Sequence, residues 1–229
     1  MPVAVALFVL LFWEICVHVF QIPMYLLPAP TSIAQALVEN HEVLFSHAMV
    51  TLLEAVLGLL IALVLAVITA ILMDLSKTFR NSIYPHLVVT QTVPVMVLAP
   101  LFSIWLGFGM APKIMIVIFM CYFPITVSFA DGLSQVSQKQ INLLKSFQAS
   151  TFQIYTMVKI PSAVNSLFSG LKVSATYCIG GAIVGEWISS AAGLGYYMLR
   201  VKNGYMLDKV FATVIVVIVL SLSLIHISE

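Results

Sequence analysis

Residues 48–73 read AMVTLLEAVLGLLIALVLAVITAILM, with Glu54 as the one charged side chain, and such a run leaves few folds open. About 30 Å of hydrocarbon is crossed by roughly 20 residues at 1.5 Å each, so this run predicts a membrane-spanning helix. Five further runs share its character: 3–20, 84–106, 114–130, 167–187 and 210–224. Of the 229 residues, 62% are hydrophobic and 8% are charged, against about 25% charged in soluble domains. The expected fold class is an all-α integral membrane protein: six transmembrane helices in a single transmembrane domain over 1–229, with a cytoplasmic helix pair.

The runs differ in detail. The first has too little N-terminal positive charge, and no small-residue cleavage site, to read as a signal peptide. The third contains Pro94 and Pro100 and is expected to be kinked or broken, because each proline removes a backbone donor that lipid cannot replace. The fourth contains Pro124. Ten Lys and Arg in all, with a net charge of +1, cannot form a basic nucleic-acid footprint. Cys16, Cys121 and Cys178 lie inside apolar runs and read as small hydrophobes. The five histidines show no HExxH or clustered spacing, so no metal site is expected.

Lys77, Arg80, Lys139, Lys145 and Lys159 fall on one side of the membrane. Lys113, Arg200, Lys202 and Lys209 fall on the other. Residues 21–47 hold Glu39 and Glu42 but no Lys or Arg, which suits an exterior loop and puts both termini in the cytoplasm. Within that loop LLPAPTSIAQALVEN predicts a short interfacial helix capped by Thr31 or Ser32. Glu14, Glu54 and Glu186 are carboxylates inside apolar runs. Each lies near a helix end, so an interfacial group with a local partner and, for Glu186, a group facing a pathway both remain open.

Gly58, Ala62, Ala66 and Ala70 recur every fourth residue, giving the second helix one face of small side chains against which another backbone can lie. Gly181 and Gly185 repeat the device in the fifth helix. A pathway is expected at the broken third helix, with Pro94, Met96, Pro100 and Phe102 as its lining. Irregular backbone at membrane depth is tolerated where it is buried in protein or borders a cavity.

Residues 131–161, DGLSQVSQKQINLLKSFQASTFQIYTMVKIP, interrupt the apolar pattern. Ile141, Leu144 and Phe147 fall on one helical face. Ser150-Thr151-Phe152-Gln153 has the form of a capping box, so a second helix is expected from Thr151 to Lys159, with Phe152 and Tyr155 on one face and Pro161 ending it. Such a pair could lie on a bilayer or dock a partner.

FQASTFQIYTMVKIPSAVNSLFSGLKVSATY resembles the signature and following helix of binding-protein-dependent ABC importer permeases, whose pattern runs Glu-Ala-Ala, three residues, Gly, about nine residues, then Ile-x-Leu-Pro. Ile160 and Pro161 match its end. Asn142, Leu143 and Leu144 stand in place of Glu-Ala-Ala, a variant similar to that of permeases for thiamine-pyrimidine precursors, and Gln148 replaces the glycine of the turn. LLPAPTSIAQAL, QTVPVMVLAPLFSIWLGFG and GEWISSAAGLGYYML resemble three further family segments in the same order, so the resemblance covers nearly the whole chain. It points to the sulfonate, nitrate, taurine and thiamine-precursor branch.

That resemblance implies a non-catalytic permease subunit in the bacterial inner membrane, moving a small organic solute such as a thiamine-pyrimidine precursor or a related heterocycle, otherwise a sulfonate, taurine or nitrate. It implies a homodimer, two cytoplasmic ABC ATPases and one soluble binding protein, with Asn142, Leu144, Phe147, Gln148, Ser150, Phe152, Tyr155, Ile160 and Pro161 meeting the ATPase. The chain has no GxxxxGK[ST] loop, so no cofactor is expected on it, and ATP with Mg²⁺ falls to the partner. A secondary transporter would show repeated halves, and an intramembrane enzyme a polar catalytic group at depth; neither is visible. LSLIHISE at the end resembles sequencing-adaptor read-through, so the native C-terminus is expected to be missing from about residue 222.

Overall fold

A computed structural model describes residues 2–227, which form α-helices joined by short turns. They are α1 (Pro2–Val19), α2 (Pro30–Glu39), α3 (His41–Leu75), α4 (Lys77–Thr92), α5 (Val95–Leu106), α6 (Ala111–Ser134), α7 (Gln138–Ser146), α8 (Thr151–Ile154), α9 (Ile160–Ser189), α10 (Leu194–Asn203) and α11 (Leu207–Ile227). A π-turn, Tyr155–Lys159, fuses α8 to α9.

Among the described residues, four stretches are long and apolar enough to cross a bilayer: His41–Leu75, Ala111–Ser134, Thr151–Ile188 and Leu207–His226. The α4–α5 pair would make a fifth but is bent by 103°, and the apolar α1 is shorter. The six spans expected thus become four continuous helices, one broken pair and one short helix. The break falls at Pro94, the N-cap of α5, behind an extended Val93 (φ −84°, ψ 121°). Steric conflict with a following proline ring favours that conformation, and a β-branched residue adopts it readily. Pro100 and Pro124 are carried inside α5 and α6 without a break.

The core is the contact of α6 with α9 and with α3. Ala55, Ala62, Ala66, Val117, Cys121, Ile125, Cys178 and Ile179 fill it and are fully buried. Small residues set the spacing. A Cβ on Gly58 would lie 2.5 Å from Val117 Cβ, and one on Gly185 would lie 3.0 Å from Lys113 Cα. Gly181 likewise faces α6, where its Cβ would meet Met120 Sδ at 3.0 Å. Across the α6–α9 contact, Ser174 Oγ donates to the Cys121 carbonyl (2.9 Å) and the Cys121 thiol donates back to the Ser174 carbonyl (3.4 Å).

Three local expectations change. The N-cap of α2 is Ala29, because Pro30 fits the first helical position. Thr31 is spent on Glu14, whose carboxylate accepts from Thr31 N (3.1 Å) and Thr31 Oγ1 (2.8 Å) and so caps α2 from α1. Pro161 does not end the second cytoplasmic helix, since helix continues from Thr151 to Ser189. Its ring would press on the carbonyl four residues back in an α-helix, and the wider π-turn just before it relieves that conflict. Finally, α11 is longer than the apolar run 210–224 at both ends, running from Leu207 to Ile227. Of the tail that resembles read-through, residues 228–229 lie outside the described residues.

Candidate functional site

Three places concentrate polar or exposed aromatic groups. At one end of the bundle, α7 turns into α8 through a Schellman motif: Ala149 N donates to Leu144 O (3.0 Å) and Gln148 N to Lys145 O (2.9 Å). Gln148 takes the left-handed conformation there (φ 59°), so the turn forms without the family's glycine. Ser150 then starts α8 as a complete capping box, accepting from Gln153 N (3.3 Å) while Gln153 Oε1 accepts from Ser150 N (2.7 Å). The turn leaves Phe147 and Phe152 both 76% exposed, with Leu143 exposed nearby. Asn142 is exposed on α7 and accepts from Gln138 Nε2 (3.1 Å), Leu144 and Ile160 are half-buried, and Pro161 is exposed.

Tyr155 parts company with Phe152. It is only 9% exposed and its hydroxyl donates to Asp74 at the end of α3. Lys159 reaches the same carboxylate oxygen at 2.5 Å. One face was expected to carry both aromatics; instead Phe152 points out and Tyr155 anchors the segment to the bundle.

The second place is the helix break. A cavity of about 330 Å³ is lined by Thr90, Gln91, Pro94, Phe119, Met120 and Tyr177, among others. Of the residues expected on a pathway, Pro94 borders this cavity. Phe102 packs edge-on against Phe119, one of its walls (centroids 6.3 Å apart). Met96 and Pro100 are exposed on α5.

The third place is the opposite end of the bundle from the α7–α8 corner. Lys113 Nζ, buried at the start of α6, donates to Glu54 Oε1 (2.9 Å) and Ser190 Oγ (2.7 Å). Glu186 accepts from Thr51 Oγ1 (2.6 Å) and Gly195 N (2.5 Å), while Leu194 N donates to Thr51 Oγ1 (2.8 Å) and Gly193 N to His47 Nδ1 (3.0 Å). Glu186 is enclosed at 1% exposure. A side chain on Gly193 (φ 106°) would overlap its carboxylate. Tyr197 stacks on His47 (5.3 Å), and burial pushes its phenol above the usual value.

Sequence reasoning named Glu54 and Glu186 but missed Lys113, Thr51, His47 and Asp74. A signal was present for two of them. His47, Thr51 and Glu54 continue the Gly58-Ala62-Ala66-Ala70 stripe towards the N-terminus at helical spacing, so the small face and the polar network are one face of α3.

Residues 43–228 match the protein family described as binding-protein-dependent transport system inner membrane component. The chain is 34% identical over 223 residues (97% of this chain, 91% of the relative) to a probable ABC transporter permease protein of Haemophilus influenzae. It is 32% identical over 222 residues (96% and 88%) to the formylaminopyrimidine transport permease protein ThiX of Halalkalibacterium halodurans. It is 27% identical over 207 residues (89% and 75%) to the putative aliphatic sulfonates transport permease protein SsuC of Bacillus subtilis. Among solved structures, an amino acid ABC transporter crystallised with histidines superposes with a TM-score of 0.68 at 17% identity, over 83% of this chain and 93% of that one. The fold is shared with that transporter.

Proposed function

We propose, from the premise that this chain belongs to the family of binding-protein-dependent transport system inner membrane components, that it carries a formylaminopyrimidine-like heterocycle across the membrane. Membership makes it a multi-pass, non-catalytic permease subunit of an ABC importer, working with an ATPase and a substrate-binding protein. The solute is the finer reading. It is supported by the ThiX relative, which matches 96% of this chain, and by the walls of the cavity at the helix break. Tyr177 and Phe119 offer ring faces there and Gln91 an amide, the contacts that suit a flat, hydrogen-bonding ring. Pro94, Met96, Pro100 and Phe102 line the route past this break, at the two-fold axis of a homodimer served by two ATPases and one binding protein. Both termini face the cytoplasm. Binding measurements on the partner protein with pyrimidines, flavins and sulfonates are expected to rank the formylaminopyrimidine first. A sulfonate ranked first would overturn the solute.

The α7–α8 corner is the ATPase-docking element, from Asn142 and Leu144 through Phe147, Gln148, Ser150 and Phe152 to Tyr155, Ile160 and Pro161. The observation that carries this is the pair of exposed phenylalanines. Two large rings held in water by a capped, Schellman-closed turn expose apolar surface that a partner protein covers. Phe152→Asp leaves the capping box and the Asp74 contacts untouched and sets a charge at the centre of that surface. The ATPase is expected to be lost from the purified complex while the permease keeps its thermal stability. Copurification at wild-type stoichiometry would sink the docking assignment.

A further inference from the structure

The corner that carries Phe147 and Phe152 is joined to the rest of the molecule by the chain, which enters from α6 through residues 135–137 and leaves through the π-turn into α9, and by the buried Ile154. A π-turn is a rare, single-turn irregularity often found at functional positions, and here it is the joint that could absorb a push on the corner. Asp74 adds a side-chain link. Helix α7 buries no residue and packs extensively on no other helix. Among the described residues, the side-chain hydrogen bonds that leave 138–159 for the bundle both end on the Asp74 carboxylate, from the Tyr155 hydroxyl and from Lys159 Nζ.

Those two donors are the first and last residues of the π-turn, so one carboxylate clamps both ends of the joint. Asp74 and Lys159 are 7% and 15% exposed, and Lys159 Nζ also lies 5.1 Å from the Tyr155 ring centroid, so the cluster is shielded from water and its charge-assisted bonds are strong. Asp74 ends a helix of 35 residues whose other end carries His47, Thr51 and Glu54 in the opposite polar network. At 1.5 Å per residue that helix reaches about 50 Å, from one end of the bundle to the other.

We infer that Asp74 is the positioning residue that passes displacement of the corner into α3, by holding Tyr155 and Lys159 so that the π-turn cannot flex. The inference rests on the reading of the corner as the ATPase-docking element. With the clamp in place, corner and α3 move as one body; without it, the joint yields and the far end stays still.

The test uses the complete complex with its ATPase and binding protein in lipid nanodiscs, carrying Met96→Cys in a background without the three native cysteines. The readout is the ratio of labelling rates by a water-soluble thiol reagent with and without Mg-ATP and vanadate. That ratio is expected to be about tenfold with Asp74 present and to fall close to one in Asp74→Asn, with the ATPase still copurifying. Asp74→Glu, which keeps the charge, is expected to restore most of it; a residue needed only for folding would not separate the ratio from assembly in this way. If Asp74→Asn does not assemble, Tyr155→Phe with Lys159→Met removes both donors and is judged by the same ratio. A ratio that survives loss of the clamp, with Phe152→Asp losing the ATPase, overturns this inference alone. No nucleotide dependence with Asp74 present, or ATPase retained by Phe152→Asp, overturns the functional reading and this inference with it.

Discussion

Lys113→Met is expected to cost about 3–5 kcal/mol of stability, the usual penalty for removing one partner of a buried ion pair. The lysine bridges α6 to Glu54 on α3 and to Ser190 just past α9. Methionine keeps the aliphatic stem against which Gly185 packs, so the loss reports the charge and not a cavity. Glu54 is 1% exposed, and without the ammonium its carboxylate is left out of water with no cation beside it. Reversible unfolding in detergent micelles measures the cost. Glu54→Gln added to Lys113→Met is expected to recover most of it, because the uncompensated charge is gone. Additive losses in the double variant would show that the pair does not hold these helices together.

Much of the fold was legible because a bilayer permits few structures, and length and apolarity report them directly. The helix over 48–73, the break near Pro94 and the capping box at Ser150 all follow from local chemistry that tertiary contacts do not override. The box is a reciprocal bond between residues three apart, and the break is a backbone donor missing in an apolar run. What was not legible depended on the third dimension. Lys113 looked like an exterior loop charge by the positive-residue count, yet Gly185 lets α9 approach so closely that the lysine is enclosed between helices.

The cytoplasmic segment shows the same division. Its caps are local and were readable, whereas the orientation of Tyr155 was not, because Asp74 lies 81 positions away in sequence and draws the ring inward. The ring sterics of Pro161 predict a helix terminator. Those sterics are met instead by a widened turn, which joins what looked like a surface helix to a span and makes the α7–α8 corner continuous with the helix bundle. Four family segments in order identify the class of protein, and the spacing of His47, Thr51 and Glu54 places them on the face of the small-residue stripe, but no local pattern reveals which residues of other helices they meet.

That stripe supports the last prediction. Ala66→Leu is expected to destabilise the permease by about 1–3 kcal/mol or more, the cost of overpacking a filled core. Ala66 is fully buried among Ala62, Val117, Cys121, Ile125 and Ile179, so three extra methyl or methylene groups require α3 and α6 to separate. Separation would also stretch the Lys113–Glu54 contact at one end and the Asp74 contacts at the other. Leu65, one position earlier, is 45% exposed. Lipid tails are as apolar as leucine, so Leu65→Ala gives up little packing, and alanine is the better helix former. Thermal midpoints in detergent are therefore expected to fall much further for Ala66→Leu than for Leu65→Ala. Gly58→Ala should follow Ala66→Leu, since even one methyl there would lie 2.5 Å from Val117 Cβ with the Ile114 carbonyl at 3.2 Å. A larger loss from Leu65→Ala than from either small-to-large change would mean that the stripe does not set the distance between α3 and α6.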